Sequence, residues 1–338
     1  MAIRIAVDAM GGDAAPGVVV EGAVQAARAH PERLRILLFG REEAVRTELA
    51  RHDVAGLAID VVDAPEVIGM AEAPATAVKT KRQSSIHLGL GAHKQGHADA
   101  FISAGNTGAI MAASLFILGR LPNVARPAVI GFFPTTTSYC IVLDIGTNVD
   151  CRPEHLVQFA RMGAIYARHV ARRENPSVGL VNIGEEPGKG NEQVKAAFEM
   201  LRAEEGLNFR GNIEGRDILH HAADVVVCDG FVGNVMLKLG ESVATALVQM
   251  VGAEMAAQGL SDSERALVAR VLGGVKRRFD YEEYGGATLL GVDGNVLIGH
   301  GGSTARAIKR MIETAVDVVE HNVRDSIASA FGARGESS

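Results

Sequence analysis

The sequence predicts an α/β protein built on an open, largely parallel sheet, and three observations support this class. Short apolar runs typical of buried strands alternate with helical patterns along the chain. Five of these runs end in a turn that combines glycine with Asn, Asp, His or Lys. The 338 residues include 39 glycines, which is too many for a helical bundle but suits repeated strand-to-helix turns. In an open parallel sheet such turns line a ligand crevice beyond the carboxyl ends of the strands.

The first half of the chain alternates strands and helices from its start. Strands are predicted at residues 3–7, 34–39, 57–62 and 98–103, and helices at residues 17–29, 42–51, 86–94 and 109–118. Residues 64–82 are predicted to be irregular because they contain two prolines. Residues 127–133 and 139–143 are expected to pair as a hairpin across a polar segment.

The second half continues the alternation around one long helical segment. Helices are predicted at residues 153–171, 192–200 and 303–323, and strands at residues 178–183, 208–213, 225–227, 288–291 and 295–298. Residues 234–278 form a helical pattern that breaks near Gly259, where Ser261 or Asp262 is expected to cap a second helix. We interpret this segment as a helical hairpin, inserted at about residues 235–280, whose apolar face needs a partner, most simply a second subunit. No linker is apparent, so residues 1–330 are predicted to form a single domain, followed by a frayed tail at residues 332–338.

Composition and charge argue against several classes of function. The net charge of −6 disfavours nucleic acid as a partner. The sequence contains neither a secretory signal nor an uninterrupted apolar run of about 18 residues, so a cytoplasmic protein is expected. Its three cysteines form no CxxC pair and its eleven histidines form no HExxH pattern, so no metal site is predicted.

The most informative turn follows the strand predicted at residues 178–183. Glycine interrupts the apolar run there at Gly184, Gly188 and Gly190. Lys189 lies within the turn, and Asn191 is placed to cap the next helix. A glycine-rich turn that opens a helix offers an anion unpaired N–H groups and a favourable dipole. The spacing differs from that of a P-loop, so ATP is not inferred, and a sharp turn with a solvated lysine remains the alternative.

The other strand ends supply compatible groups. They carry glycine amides together with Asn106, Thr107, Asn148, Asp229, Asn234 and His300. The sequence has neither a GxSxG elbow nor a GxGxxG fingerprint. Hydrogen-bond donors, one lysine and one imidazole suit the binding of phosphate and the stabilisation of an oxyanion better than hydride transfer.

These motifs make the chain resemble a known family. The resemblance is carried by Val7-Asp-Ala-Met-Gly-Gly-Asp13, Ser103-Ala-Gly-Asn-Thr-Gly108, Gly188-Lys-Gly-Asn-Glu192, Cys228-Asp-Gly-Phe-Val-Gly-Asn234 and Ile298-Gly-His-Gly301, among others. In the same order, over about residues 3–325, they are similar to the bacterial phosphate acyltransferases of phospholipid synthesis, the PlsX family. The resemblance implies a doubly wound, three-layer α/β/α sheet like that of phosphotransacetylase and of isocitrate and isopropylmalate dehydrogenases.

The resemblance also implies an activity and partners. Members of the family transfer a long fatty acyl group reversibly from acyl carrier protein to inorganic phosphate, without a metal or another cofactor. The acyl phosphate then serves a membrane enzyme that acylates glycerol 3-phosphate. The family acts as a homodimer and associates peripherally with the membrane through the helical projection, so a cytoplasmic, peripherally membrane-associated protein is implied.

The motifs and the resemblance together predict a site. Phosphate is expected on the backbone amides of Gly105, Thr107, Gly108, Gly188, Gly190 and Asn191. The predicted catalytic residues are Lys189, Asn106, Asn148, Asp229, Asn234 and His300. His300 is the candidate proton donor to the thiolate that leaves when the thioester of the acyl donor is cleaved. Alternatively, it is an orienting or capping histidine. Because carrier protein is acidic, two basic clusters are predicted to dock it, namely Lys79, Lys81 and Arg82, and Lys276, Arg277 and Arg278. Two alternatives stay open, a phosphotransacetylase-like enzyme that uses acyl-CoA and a non-catalytic scaffold at the membrane surface.

Overall fold

The structure, a computed structural model, describes residues 2–279 and 284–332, and the chain divides into two compact units. Unit 1 comprises Met1–Ile130, Ile165–Glu174 and Tyr284–Ser338, and unit 2 comprises Gly131–Ala164 and Asn175–Glu283. The chain therefore passes from one unit to the other after residues 130, 164, 174 and 283. Because several segments build each unit, no single linker marks the boundary, which explains why none is visible in the sequence.

Unit 1 contains a mixed sheet of seven strands. They are β1 (Ile3–Asp8), β2 (Leu34–Gly40), β3 (Ile59–Asp63), β4 (Ala100–Ser103), β5 (Ala128–Val129), β11 (Ala287–Leu290) and β12 (Val296–Ile298). Their order across the sheet is β3-β2-β1-β4-β12-β11-β5, and β11 alone runs antiparallel to its neighbours in this sheet. The parallel strands β1, β4 and β12 are thus adjacent, and their carboxyl ends lie at one edge of the sheet.

Helices cover both faces of this sheet. Ile102 of β4 belongs to an apolar core that includes α1 (Gly17–Ala29) and α11 (Ala305–Glu320). Phe101, the preceding residue, points to the opposite face, where a Cβ atom at Gly89 of α4 (Ser85–Lys94) would lie 2.5 Å from its ring. The other helices of unit 1 are α2 (Glu42–Leu49), α3 (Pro74–Thr80), α5 (Thr107–Ile117) and α12 (Val323–Gly332).

Unit 2 repeats this layered arrangement on a smaller sheet. Its strands are β6 (Gly131–Pro134), β7 (Tyr139–Leu143), β8 (Ser177–Asn182), β9 (Asn208–Glu214) and β10 (Val225–Val227), in the order β6-β7-β10-β8-β9. Its helices are α7 (Glu192–Arg202), α8 (Gly215–Ile218), α9 (Gly230–Ala257) and α10 (Asp262–Arg278), and α6 (Pro153–His169) contributes to both units. Val226 of β10 packs with Met236 of α9, whereas Val225 faces Gly163 of α6. The predicted three-layer α/β/α class is therefore confirmed, although the strands form two sheets.

Most of the predicted elements are present with small shifts at their ends, and four differ. Residues 64–82 contain α3, which begins at Pro74 because proline at the first helical position loses no hydrogen bond. The strand predicted at residues 127–133 is divided between two sheets, and β6 alone pairs with β7 as the expected hairpin. The helix predicted at residues 303–323 is α11, which ends at Glu320, and a further helix, α12, follows it after Asn322, which has a φ of 50°. The long helix α9 begins at Gly230, before the predicted start, because Asp229 caps it.

The helical hairpin is confirmed in its main features. Ser261 and Glu264 form a capping box at the start of α10, as the sequence indicated. In the described part of the chain, α9 is the one helix long and apolar enough, by length and composition, to cross a membrane. Its apolar side chains Leu239, Val243, Leu247 and Met250 are exposed. Most of the predicted tail, residues 333–338, lies outside the described residues, as do residues 280–283 at the end of the predicted hairpin.

Candidate active site

In unit 1, side chains and backbone groups tie together the carboxyl ends of β1, β4 and β12. The hydroxyl of Ser103, the last residue of β4, donates to Asp8 Oδ2 at the end of β1 over 2.6 Å. The amide of Gly105 donates to Ser103 Oγ (3.0 Å), and the amide of Gly299 donates to the Ser103 carbonyl (2.8 Å). A Cβ atom at Gly11 would lie 2.6 Å from Asp8 Oδ2 and 2.7 Å from the Gly105 nitrogen, so the turn after β1 requires glycine there.

Asp8 is the buried acid of this cluster, and it is not among the predicted site residues. Burial raises the pKa of Asp8 above its ordinary value, although hydrogen bonds from Ser103, Ser85 and Met10 oppose the shift. The signal was present in the sequence, because an aspartate directly after an apolar strand lies at the edge where ligands bind. The sequence leaves two roles open for the turn at residues 8–13, positioning a ligand or only making the turn, because nothing local distinguishes a buried aspartate from a solvated one.

This burial makes a pH-dependent prediction. A carboxyl group whose pKa is raised in the folded state contributes stability below the unfolded pKa, and that contribution is lost as the pH rises through the folded pKa. We therefore expect Asp8→Asn to gain stability relative to the native protein as the pH rises above 3.8, until the raised pKa has been passed. Urea unfolding of both proteins across this pH range measures the difference, and a difference that is the same at every pH would contradict the prediction.

The N-terminus of α5 opens directly beyond β4. Asn106 caps the helix, since its Oδ1 accepts from the Ala109 amide at 3.0 Å. Its Nδ2 donates to the carbonyls of Gly69 (3.2 Å), Met70 (3.0 Å) and Glu72 (3.1 Å). The side chain is buried, so these contacts assign Asn106 a positioning role, and its predicted catalytic role stays a prediction.

The first amides of α5 are available to a ligand. The amides of Thr107 and Gly108 have no hydrogen-bond acceptor among the described residues. Such groups at a helix N-terminus are the usual donors to a bound anion. The Gly105 amide, by contrast, is engaged with Ser103. Of the phosphate ligands predicted in this turn, Thr107 and Gly108 are therefore the two with open donors.

His300 lies on the turn that follows β12. Its Nδ1 accepts from the Gly302 amide at 3.1 Å, so a neutral ring carries its hydrogen on Nε2. The Ser303 hydroxyl donates to the His300 carbonyl (2.6 Å), and the Asp13 amide donates to the Gly301 carbonyl (2.8 Å). The turns after β1 and β12 are thus joined, and the exposed His300 ring is oriented by its own turn.

In unit 2, a second set of strand ends is organised around Asp144, which sequence analysis also missed. This fully buried carboxylate follows β7, and its Oδ2 accepts from the amide (2.5 Å) and the side-chain Nδ2 (3.0 Å) of Asn148. The Asn148 carbonyl in turn accepts from the Gly230 amide at 2.7 Å. A Cβ atom at Gly230 would lie 2.8 Å from Asp144 Oδ2, so the start of α9 approaches the carboxylate closely. The Asn148 amide is therefore held by Asp144 at this strand end.

The predicted residues Asp229 and Asn234 flank this start of α9. Asp229 accepts from the Val232 amide at 2.8 Å and caps the helix. Asn234 is exposed, and its Cβ would lie 3.6 Å from a Cβ atom at Gly146 in the turn after β7. The structure therefore brings Asn148, Asp229 and Asn234 together around one strand end. Asn234 is the one of the three whose side chain is exposed.

The glycine-lysine turn has the predicted strand–turn–helix form. Asn191 caps α7 as predicted, with its Oδ1 accepting from the Val194 amide at 2.9 Å. Gly190 has a φ of +90°, and a Cβ atom there would lie 2.6 Å from Asn182 Oδ1, so glycine is required. Lys189 is exposed, and its carbonyl accepts from Asn182 Nδ2 at 3.1 Å. The backbone of this turn is thus fixed by hydrogen bonds, and Lys189 is exposed to solvent.

The predicted docking residues differ in their exposure. Lys81 donates to Glu72 Oε1 (2.6 Å) and to the Val67 carbonyl (2.7 Å), so its charge is already engaged. Arg278 donates to the Thr136 carbonyl at 3.1 Å. Exposed basic side chains are present at Lys79, Arg82, Lys276, Arg277 and Arg278. The predicted site residues thus divide between two units, each of which carries strand-end turns and one basic cluster.

Comparisons with known proteins agree with this picture. A family model described as "Fatty acid synthesis protein" (FA_synthesis) matches residues 3–326. A Salinibacter ruber protein named "Phosphate acyltransferase" is 58% identical over 331 residues, covering 98% of each chain. Another of that name, from Chlorobaculum parvum, is 48% identical over 335 residues, covering 97% of this chain and 98% of the relative.

Solved structures of phosphotransacetylases share the fold. The enzyme from Streptococcus pyogenes superposes with a TM-score of 0.61 at 18% identity, and EutD from Staphylococcus aureus with a TM-score of 0.59 at 15% identity, each covering 94% of both chains. At such identities the likeness concerns the fold alone. The family model and the relatives extend over nearly the whole chain. The chain therefore belongs to the PlsX family of phosphate acyltransferases, enzymes of lipid synthesis that transfer acyl groups to phosphate.

Proposed function

We propose that the chain transfers a long-chain fatty acyl group, reversibly, from acyl carrier protein to inorganic phosphate, and that the acyl phosphate is used for phospholipid synthesis. The observation that carries this proposal is an open helix N-terminus in each unit. In α5 the amides of Thr107 and Gly108, and in α7 those of Glu192 and Gln193, have no acceptor within the described ranges. Both helices follow glycine-containing turns at the ends of parallel strands, a geometry suited to phosphate.

The proposed chemistry is direct attack. A phosphate oxygen forms a bond to the thioester carbonyl carbon, the carbon–sulfur bond breaks, and the departing thiolate takes up a proton. An acyl-enzyme formed on cysteine is disfavoured at two positions, because burial raises the pKa of Cys140 to about 12 and that of Cys228 well above its ordinary value. In direct attack by phosphate the enzyme need not activate a nucleophile of its own, so positioning and electrostatic stabilisation supply the acceleration.

Individual groups take separate roles in this proposal. Lys189 supplies positive charge next to the α7 amides, and Asn234 is a candidate donor to the developing oxyanion. His300 is the candidate hydrogen-bond donor, through Nε2, to the departing thiolate, whose own pKa of about 8.5 makes full protonation only moderately helpful. Asn148 and Asp229 hold the turn geometry that these donors require.

Lys189 provides the most direct test of the phosphate site. We expect Lys189→Ala to raise the KM for phosphate about tenfold and to lower kcat, because a charge-assisted contact of this kind is worth on the order of 1.5 kcal/mol. Lys195→Ala is the matched control, since Lys195 lies on α7 and pairs with Glu192 at 3.2 Å. Phosphate saturation curves for both variants decide the question, and unchanged kinetics for Lys189→Ala would remove this residue from the site.

The identity of the acyl donor separates the leading proposal from its rival. The rival is a phosphotransacetylase-like enzyme that uses acyl-CoA. Purified protein and phosphate would be supplied with palmitoyl carrier protein or palmitoyl-CoA, and acyl phosphate would be trapped with hydroxylamine. Product from the carrier protein alone supports the proposal, product mainly from acyl-CoA supports the rival, and no product from either overturns both.

Partners and location complete the proposal. The acidic carrier protein is proposed to dock on the exposed basic residues of one cluster, either Lys79 and Arg82 or Lys276, Arg277 and Arg278, and a preference for the carrier-bound donor is what this docking requires. Exposed apolar residues of α9 provide a surface for a homodimer and for peripheral contact with the membrane. Such contact would bring the acyl phosphate close to a membrane enzyme that acylates glycerol 3-phosphate.

A further inference from the structure

Exposed large apolar side chains are confined to one region of unit 1. Among the described residues of this unit they are Met70 (46% exposed), Leu115 (41%) and Phe116 (64%). Leu115 and Phe116 lie on α5, and Met70 lies on the segment that Asn106 binds at the start of α5. A single exposed apolar residue needs no explanation. The three exposed apolar residues of unit 1, however, all lie on one helix and the segment attached to it, and this grouping needs an explanation.

The segment that carries Met70, residues 67–72, is held in place by polar contacts and is here called the strap. Asn106 binds three of its carbonyls, as described above. Glu72 Oε1 accepts from the Gly69 amide (2.6 Å) and from Lys81 Nζ (2.6 Å), and Lys81 Nζ also donates to the Val67 carbonyl (2.7 Å). Hydrogen bonds therefore fix the backbone of the strap at several points, and this backbone holds Met70 in place.

Met70 stands at the edge of the strand-end site. Its Cε lies 2.9 Å from the position that a Cβ atom would occupy at Gly301, next to His300. Beyond the strap, Pro74 Cγ lies 2.6 Å from the corresponding position at Gly108, so glycine allows α3 to cross the first turn of α5. Residues 70–74 therefore run from the turn after β12 to the open N-terminus of α5.

The two other exposed apolar side chains lie further along α5. Gly108, Ala112 and Leu115 are spaced by four and three residues, so they share one face of the helix. Seven residues of α-helix span about 10 Å. Phe116 is the next residue along the helix, and its ring lies 6.5 Å from that of His87 on α4. Leu115 and Phe116 thus lie about 10 Å along α5 from its first turn.

We propose that Met70, Leu115 and Phe116, the acyl track, bind the fatty acyl chain of the donor and set the preference for chain length. This inference rests on the proposed function, which requires the thioester carbon to be among polar groups while the methylene chain leaves them. Methionine suits such a contact because its flexible, polarisable side chain adapts to an apolar ligand. Aliphatic affinity grows with each buried methylene, so the track selects for length.

The test is a chain-length series with variants of the track. We expect Met70→Ser to lower kcat/KM for the palmitoyl carrier protein about tenfold and to change it less than about twofold for the butyryl donor, since few methylenes of a short chain reach beyond the site. Phe116→Ser should lower kcat/KM for palmitoyl but not for octanoyl. Met200→Ser is the control, because Met200 is 38% exposed on α7 of unit 2, and it should leave the profile unchanged.

The possible outcomes separate this inference from the function on which it rests. Equal losses at every chain length, or no loss for palmitoyl, would overturn the acyl track while the native protein still forms acyl phosphate. A change in oligomeric state measured by light scattering, with an unchanged chain-length profile, would assign the surface to a second copy of the chain. Failure of the native protein to form acyl phosphate from any donor would overturn the proposed function and the track with it.

Discussion

Replacing Asn106 with Asp should lower the free energy of unfolding by about 3 kcal/mol and remove most of the activity, although the two side chains have nearly the same shape. Asp keeps the oxygen that accepts from the Ala109 amide, so the helix cap survives. Its second oxygen, however, replaces the Nδ2 group that donates to the carbonyls of Gly69, Met70 and Glu72. Three attractive contacts at a buried position thereby become repulsions between oxygen atoms, and the strap loses its attachment to α5.

The expected loss of activity follows from the position of the strap. If Asn106 no longer binds it, Met70 is no longer fixed beside Gly301, and the N-terminus of α5 loses its neighbour. The helix dipole favours a negative charge at this position and offsets part of the cost, but typically by less than about 1 kcal/mol. We therefore expect the unfavourable contacts to dominate, and urea unfolding together with steady-state kinetics measures both effects.

Asn191→Asp is the matched control for this substitution. Asn191 caps α7 with the same geometry, its Oδ1 accepting from Val194 at 2.9 Å, and it is exposed. Its Nδ2 donates to no group within the described part of the chain. Since Asn and Asp are nearly equivalent caps, the free energy of unfolding should change by less than about 0.5 kcal/mol. If both substitutions had the same small effect on the free energy of unfolding, the contacts of Asn106 with the strap would not contribute to stability.

These two asparagines also show how far the sequence predicts the site. The cap at Asn191 is a local feature, since the residue, the turn before it and the helix after it are adjacent in sequence, and the structure confirms it. Asn106 was recognised as a site residue, but its partners lie 34 to 37 residues away, in a segment expected to be irregular. Its predicted role was therefore catalytic, and its attachment to the strap became visible only in three dimensions.

The same distinction explains the other differences. The element pattern predicted nearly all strands and helices, since apolar periodicity and capping residues are local signals. The division into two sheets was not predictable in this way, because it depends on which strands pair across long sequence separations. Asp8 and Asp144 were not predicted as site residues because burial distinguishes them from ordinary turn aspartates, and burial comes from distant segments. Conversely, the charge of Lys81 is engaged by Glu72, a contact that no pattern indicated.

The close approach of α9 to the end of β7 leads to the second large prediction. A Cβ atom at Gly233 would lie 1.9 Å from the Asp144 carbonyl oxygen, and this oxygen belongs to the backbone and cannot rotate away. Gly233→Ala must therefore displace either α9 or the turn that holds Asp144 and Asn148. We expect the free energy of unfolding to fall by about 3 kcal/mol, the upper end of the usual cost of overpacking. Activity should fall with it, because Asn234 and Asn148 would move apart.

Gly252→Ala on the same helix separates this close approach from the general effect of losing a glycine. A Cβ atom at Gly252 would meet nothing within 4 Å, and the residue is exposed. Alanine is favoured over glycine in a helix interior by about 1 kcal/mol, so this variant should be more stable than the native protein. Urea unfolding of the two variants should thus give changes of opposite sign. If Gly233→Ala were stabilised like Gly252→Ala, α9 would not lie against Asp144. The close packing at the end of β7, on which the unit 2 site depends, would then be contradicted.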